Sequence, residues 1–331
     1  MPDFSSLKIA LVADDLTRLS LGNECRLMNV TPRNYRFVFG LWKPDLLFVE
    51  SSWKGFKERW RYKMAAYPDR PERTNAALAK VARAAREAGI PSVFWNREDG
   101  VHFERFIDSA RLFDAVLTVD DTMLPAYRER LGADRKLDVM MFAVQPAVHF
   151  PTDKEPQRRA SFVGSYNEQI HPQRHAWQEM IFAQAGPLGL DIYDRNSERK
   201  GAHYRFPDYP WTRVYPAVPH AHTADIYRGH IANINVNTIT QSNTAFSRRL
   251  VEILACGTMA VSNDTAAARR LFGEYCAFVE GEEEARALFA RLARDGVSAA
   301  ERERQRAAAD HIKRHYTWRH NLEKITAMAG R

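Results

Sequence analysis

The sequence predicts an α/β protein built from two doubly wound parallel domains facing across a cleft. Three observations carry this. The chain has 331 residues, too long for one ordinary core and suited to two domains of roughly 150 residues each. Short apolar runs ending in polar residues alternate with helix-spaced segments, the pattern of parallel strands covered on both faces. The alternation is interrupted once, at residues 145–157, where three prolines and several charges make a connector composition.

Element by element, LKIALVADD (residues 7–15) and PDLLFVESS (44–52) are strands with polar ends. Residues 75–88 are alanine-rich with helical spacing, and Gly89 stops that helix before the strand IPSVFWNRED. A strand at 113–119, a helix at 122–131 and a strand at 138–142 complete the first half. The alternation restarts with a strand at 160–168 and a helix at 175–185, followed by strands at 189–194 and 231–236. A helix at 248–255, strands at 258–263 and 276–280, and two charged helices close the chain. The expected division is residues 1–150, residues 151–310, and a final helical segment, 311–331, crossing back to the first domain. In open α/β sheets ligands bind beyond the carboxyl ends of the strands, so the polar strand ends are the places to search.

Composition bounds the function classes. Hydrophobic residues make up 45% and charged residues 27%, without low-complexity tracts. No apolar window is long enough to span a bilayer, and the first residues lack the basic start and apolar stretch of a signal peptide, so a cytoplasmic protein is expected. Cys25, Cys256 and Cys276 are widely spaced, which argues against a disulfide framework or a zinc site. A net charge of +7 and a pI near 9.3 favour anionic partners without choosing among them.

Three stretches of the second domain carry chemistry. In FVGSYNEQIHPQR a strand runs into Gly164 and Ser165, with Arg174 following. Glycine lets backbone N–H groups approach an anion, and arginine can fork onto phosphate oxygens, though a plain tight turn with a surface arginine has the same residues. In TQSNTAFSRRLVEILACG, Ser242, Asn243 and Thr244 are N-cap residue types ahead of a helix, and Arg249 and Glu252 share one face of it. A solvated ion pair would explain Glu252, but the apolar positions cover most of the helix circumference. A buried glutamate needs a partner, and a ribose diol or a cation would serve. In CGTMAVSND, Gly257 ends the helix and a strand begins at once. Together these describe a pocket for a nucleoside diphosphate.

The string RLVEILACG, with FVGSYNEQIHPQR upstream, resembles the C-terminal domain of CgeB-type (spore maturation protein) glycosyltransferases, related to the retaining group 1 glycosyltransferases. PDLLFVESSWKG, SVFWNREDGVHFERF, FDAVLTVDD and HYTWRHNLEKI are also similar to that family, so the resemblance covers nearly the whole chain. It implies two Rossmann-like domains, the GT-B fold, and retaining sugar transfer in cell-surface polysaccharide synthesis. It implies that Glu252 binds the donor ribose and that Arg249 faces the donor phosphates. That group carries a second glutamate eight residues earlier, near the donor sugar. Thr244 occupies the position here and so joins the catalytic candidates.

The first domain should then face the acceptor, with Asp14, Asp15, Glu24, residues 50–54, residues 96–102, Asp120 and Asp121 at its strand ends. WNREDGVHF places Asp99 and His102 where either could take the proton of an acceptor hydroxyl. The alternative is that both cap a helix beginning near Val101. WKGFKERWRYKM interleaves aromatic and basic residues, a mixture used at nucleic-acid and membrane surfaces, though an amphipathic helix with packed aromatics also has it. His220 and His222 lack a third ligand at helpful spacing and the chain has no D-x-D triad, so no metal ligands and no cofactor are expected. Arg174, Arg249 and helix N-termini would neutralise the leaving phosphate.

The expected function is a glycosyltransferase moving a sugar from a UDP-, GDP- or dTDP-sugar to a hydroxyl of a glycan, lipid-linked glycan or protein. No nucleic-acid partner is expected, and peripheral contact with the inner face of the plasma membrane is compatible. The alternative from another class is a non-catalytic nucleotide-sugar-binding module of the same fold. A nucleic-acid-binding protein fits only the pI.

Overall fold

The computed structural model describes residues 2–331. The chain forms two compact units: the first joins the residues up to Gln145 with Ser242–Ala245 and Thr317–Arg331, and the second comprises Pro146–Gln241 and Phe246–Tyr316.

The first unit holds six parallel strands in the order β2-β1-β3-β4-β5-β6, with β1 Lys8–Val12, β2 Arg26–Asn29, β3 Leu46–Glu50, β4 Ser92–Asn96, β5 Ala115–Thr118 and β6 Lys136–Val139. Its helices are α1 Asp15–Leu21, α2 Tyr35–Phe37 continuing as a π-helical turn over Val38–Trp42, α3 Ala76–Glu87, α4 Phe103–Ala110 and α5 Leu124–Leu131. Both faces of the sheet are buried, and the pleat divides the apolar residues between them. Ala10, Val12, Leu47, Val49, Phe94 and Val116 pack against α3, α4 and α5, while Ile9, Leu11, Phe48, Val93, Trp95 and Leu117 face the opposite core. That double coverage is why these strands read as continuous apolar runs.

The second unit repeats the plan with β7 Gln157–Gly164, β8 Leu190–Asp194, β9 Thr212–Tyr215, β10 His230–Asn235, β11 Met259–Ser262 and β12 Cys276–Phe278. All pairings are parallel, in the order β12-β11-β10-β7-β8-β9. The order reverses between β7 and β10, the switch point where doubly wound sheets bind ligands. Its helices are α6 Pro172–Ala183, α7 Thr223–Arg228, α8 Arg248–Ala255, α9 Ala266–Phe272, α10 Glu282–Asp295 and α11 Ala299–His315. The last helix, α12 Trp318–Ala329, belongs to the first unit, where Trp318, Leu322 and Ile325 lie in the core behind β1, β3 and β4.

Two local expectations change. Residues 242–244 do not cap α8: Ser247 holds the N-cap position, and Ser242–Ala245 fold with the first unit. WKGFKERWRYKM is not an amphipathic helix but a short 3-10 turn at Phe56–Glu58 within a looped segment, where Lys57, Glu58 and Tyr62 adopt positive φ. Its aromatics are packing groups, with Trp60 fully buried and donating its indole N–H to Val30 O at 2.8 Å. Among the described residues no helix is long and apolar enough to cross a membrane.

Candidate functional site

At the carboxyl end of β7 two arginines converge on a glycine. Arg249, the second residue of α8, donates its Nε–H to Val163 O at 2.7 Å, and its guanidinium lies 4.8 Å from the Phe162 ring centroid. A Cβ on Gly164 would stand 2.5 Å from Phe162 and 2.8 Å from Arg249 Nη2, so only glycine admits this approach. Arg174, in the first turn of α6, donates from Nη2 to Ser165 O at 3.2 Å, a carbonyl that Gln178 also reaches at 3.4 Å. Arg174 Nε and Arg249 Nη1 are buried donors with no hydrogen-bond partner.

The electrostatics mark both cations as uncompensated. Burial pushes Arg249 down to about 10, and Arg174 and Arg195 push it further against the opposing Tyr227 and Glu252. Arg174 is likewise lowered, by burial first and then by Arg195. Buried guanidinium groups persist beside one another when an anion completes the site. Arg195, whose backbone N–H donates to Gly164 O at 2.9 Å, joins them without a motif in the sequence, although its place just beyond β8 is a strand-end signal.

Glu252 occupies the inner side of α8 and is 2% exposed. Sequence alone suggested an outside partner, but the protein supplies several. Tyr227 donates its hydroxyl to Oε2 at 3.3 Å, and Arg248 Nε lies 2.8 Å from Oε1, an ion pair whose N–H is not aligned as a hydrogen bond. His220 Nε2 stands 3.6 Å and His149 Nε2 4.0 Å from the same oxygen. Burial pushes the carboxyl up, but Arg248, His149 and His220 outweigh it and hold the group below its ordinary range. Burial lowers His220 to about 4, so its imidazole is neutral at pH 7.

These contacts correct the reading of PHAH. His222 is exposed beside Asp225, whereas His220 finds the missing third and second ligands in space: His149, His220 and Glu252 place one ligand atom each within 4.8 Å of one another. That is a metal-capable set, yet Arg248 already brings a positive charge to the oxygen a cation would use. Gly257 sits at φ +66 with Pro151 3.1 Å from its Cβ position, which makes it the helix stop, packed against the connector.

In the first unit the strand ends gather a second cluster. Arg97 pairs with Asp14, lies 3.6 Å from Glu50 and 3.7 Å from Glu98. Thr17 donates to Glu50, whose buried carboxyl is raised by burial against the pull of Arg97. These groups mark the β1/β3 switch point of that sheet. Trp53 donates its indole N–H to Glu98 at 3.2 Å and meets the His102 ring edge-on at 5.1 Å.

Asp99 and His102 turn out to be different kinds of group. Asp99 is 5% exposed and accepts from Asn96 at 2.6 Å, Thr118 at 2.7 Å and Tyr127 at 2.8 Å. Burial raises it to about 7. His102 holds the N-cap position of α4 without a side-chain cap bond, is half-buried, and is lowered chiefly by burial. Neither side chain therefore caps the helix. Thr244 accepts the Asp121 N–H at 2.9 Å and donates to Val119 O at 3.0 Å, while Ser242 Oγ and the Asn243 N–H bind Asp121 Oδ1 at 2.8 and 3.0 Å. These residues tie their loop to the end of β5.

Residues 154–327, more than half the chain, match a family model described as glycosyl transferase-like. No curated protein matches the sequence. Among solved structures the chain is similar to an alpha-glucosyltransferase in complex with UDP and a 13-mer DNA, with TM-score 0.66 and 9% identity over 99% of this chain and 100% of that one. It is similar to the DNA-modifying enzyme beta-glucosyltransferase, with TM-score 0.59 and 10% identity over 98% and 99% of the chains. A UDP-forming trehalose-phosphate synthase from Burkholderia xenovorans gives TM-score 0.51 and 14% identity over 86% and 73%. The structural likeness shows the fold, two parallel six-stranded sheets with helices. With the family match beside it, the chain belongs to the glycosyl transferase-like family and is a glycosyltransferase of the GT-B fold.

Proposed function

We infer that the protein transfers a sugar from a nucleoside diphosphate sugar to a hydroxyl of a glycan or lipid-linked glycan, with the donor on the second unit and the acceptor on the first. One observation carries the donor reading: Arg174 and Arg249 are buried cations with unsatisfied donors at the end of β7, where Gly164 leaves room for Arg249 against the backbone. A diphosphate supplies two negative charges and the acceptor oxygens those donors lack. The structural neighbours solved with UDP support the same class of donor. The resemblance to CgeB-type enzymes supports it further, and retention of configuration rests on that resemblance alone.

In this reading Arg174, Arg195 and Arg249 neutralise the leaving diphosphate, the electrostatic strategy open to a metal-independent transferase. Ribose hydroxyls reach Glu252 by displacing His220, whose side chain is 18% exposed against 2% for His149. On the first unit His102, held below its ordinary range by burial and set against Trp53, is better placed to accept a proton than the enclosed Asp99.

The test is UDP titration by calorimetry on the wild type and on Arg249→Met, with a melting curve for each. An uncompensated buried cation is held for its ligand, so Arg249→Met should weaken UDP binding about tenfold or more without lowering the melting temperature. Unchanged UDP affinity would remove the donor site from this position. Release of free sugar from the bound nucleotide sugar, measured alongside, separates the enzyme from a non-catalytic binding module.

A further inference from the structure

The first unit exposes an apolar pair that neither its core nor the donor site uses. Leu41 is 74% and Phe37 56% exposed, the two barest large apolar side chains among the described residues. They stand four residues apart on the continuous helical stretch formed by α2 and the π-helical turn, so they lie near one another on its outer side. Single exposed apolar residues are ordinary, but a bare phenylalanine and a bare leucine on one short segment form a wedge.

Cations adjoin the wedge along the chain, beginning with Arg36 next to Phe37. Arg36, Lys80 and Arg83 line one groove between this segment and α3, with Glu87 as its acidic member. Exposed Arg33 and Lys43 flank the helical stretch on either side. Five cations against one carboxylate, on the same segment and its groove with α3 as the two apolar tips, suit the boundary layer of an anionic bilayer: phosphates outside, acyl chains beneath. A duplex nucleic acid would also use the cations, and the dependence of binding on Phe37 and Leu41 against Lys80 and Arg83 separates it from a bilayer. We propose that this face, built on Tyr35–Trp42 and α3, docks the protein peripherally on anionic lipid surfaces, with Phe37 and Leu41 inserted among the acyl chains. The surface differs from WKGFKERWRYKM, the segment whose composition first suggested membrane contact, where Trp53 and Trp60 pack inward.

The experiment is co-sedimentation of the full chain with vesicles of phosphatidylglycerol and phosphatidylcholine, against vesicles of phosphatidylcholine alone. Binding is expected to the anionic vesicles only and to weaken as salt is raised. The double variant Phe37→Ser with Leu41→Ser, and separately Lys80→Glu with Arg83→Glu, should each reduce it about tenfold or more while melting temperature and UDP affinity stay at wild-type values, since all four side chains are exposed. No binding to anionic vesicles, or binding unaffected by the Phe37 and Leu41 changes, overturns the proposal. Tight binding of duplex DNA that depends on Lys80 and Arg83 but not on Phe37 and Leu41 also overturns it and assigns the face to nucleic acid. UDP affinity is read separately throughout, so failure here leaves the donor site untouched.

Discussion

Asp99 shows what burial does to a single carboxyl. Removal from water raises it to about 7, Thr118 and Tyr127 oppose that by donating hydrogen bonds, and Asp120 and Glu98 reinforce it. The folded protein therefore binds the Asp99 proton more tightly than the unfolded chain, whose carboxyl titrates near 3.8. Stability from this proton is complete below about pH 4 and is lost as pH rises through 7. Asp99→Asn keeps a neutral polar group of the same shape and removes the titration. The melting temperature of Asp99→Asn relative to wild type should thus climb between pH 5 and pH 8, and parallel profiles would show that Asp99 is ionised throughout. Because its three donors already enclose it, the same variant should leave sugar transfer nearer to wild type than His102→Ala does.

Helix α8 sets the second scale, because it supplies both Arg249 and Glu252 from one buried face. Glu252→Gln retains an oxygen for Tyr227 but strips Arg248 of its ion pair. Breaking a buried pair costs about 3–5 kcal/mol, and the lower end applies because the Arg248 side chain is a quarter exposed and can turn to water. Chemical denaturation should register that loss, and UDP titration should weaken about tenfold if ribose also binds there. A stability loss with unchanged UDP affinity would make Glu252 a positioning residue for α8 alone. The helix also shows why sequence revealed one part of the site and not the rest. Apolar residues around the helix circumference announced a buried helix, and that made Arg249 and Glu252 conspicuous. His149 and Tyr227 arrive from the connector and α7, with no spacing that links them to Glu252. Ser242, Asn243 and Thr244 have the chemistry of N-caps, but Ser242 and Asn243 donate to the Asp121 carboxylate while Thr244 bonds the Asp121 N–H and Val119 O instead. Alternating aromatic and basic residues at Trp53–Met64 imitate a helix that three positive-φ residues interrupt. The central strands were the most legible feature, since coverage on both faces leaves an uninterrupted apolar run, whereas the partly exposed edge strands β2 and β9 carry no such run and were not legible.

At the scale of the molecule, the first unit is discontinuous in sequence, and its core is finished by the end of the chain. Trp318 is 2% exposed and meets the Trp95 ring edge-on at 5.7 Å, with Leu322 and Ile325 fully buried beside it. Arg319 pairs with Glu24 at 3.0 Å, Asn321 donates to Met141 O at 3.0 Å, and Lys324 reaches Val139 O at 2.7 Å, so α12 is fastened along its length. Trp318→Ala should therefore destabilise the protein by about 3–5 kcal/mol, the cost of a large core cavity. The same geometry forbids the simple dissection that the chain order invites. A fragment ending at Gln145 lacks α12 and leaves Trp95, Phe48 and their neighbours bare, so it should be insoluble or molten when expressed alone. Joining residues 317–331 to that fragment through a flexible linker restores the missing face and should yield a cooperatively melting domain. A fragment that folds without α12 would show that the helix covers the core without being required for it, and loss of sugar transfer on truncation after Tyr316 would then need a cause other than collapse of the first unit.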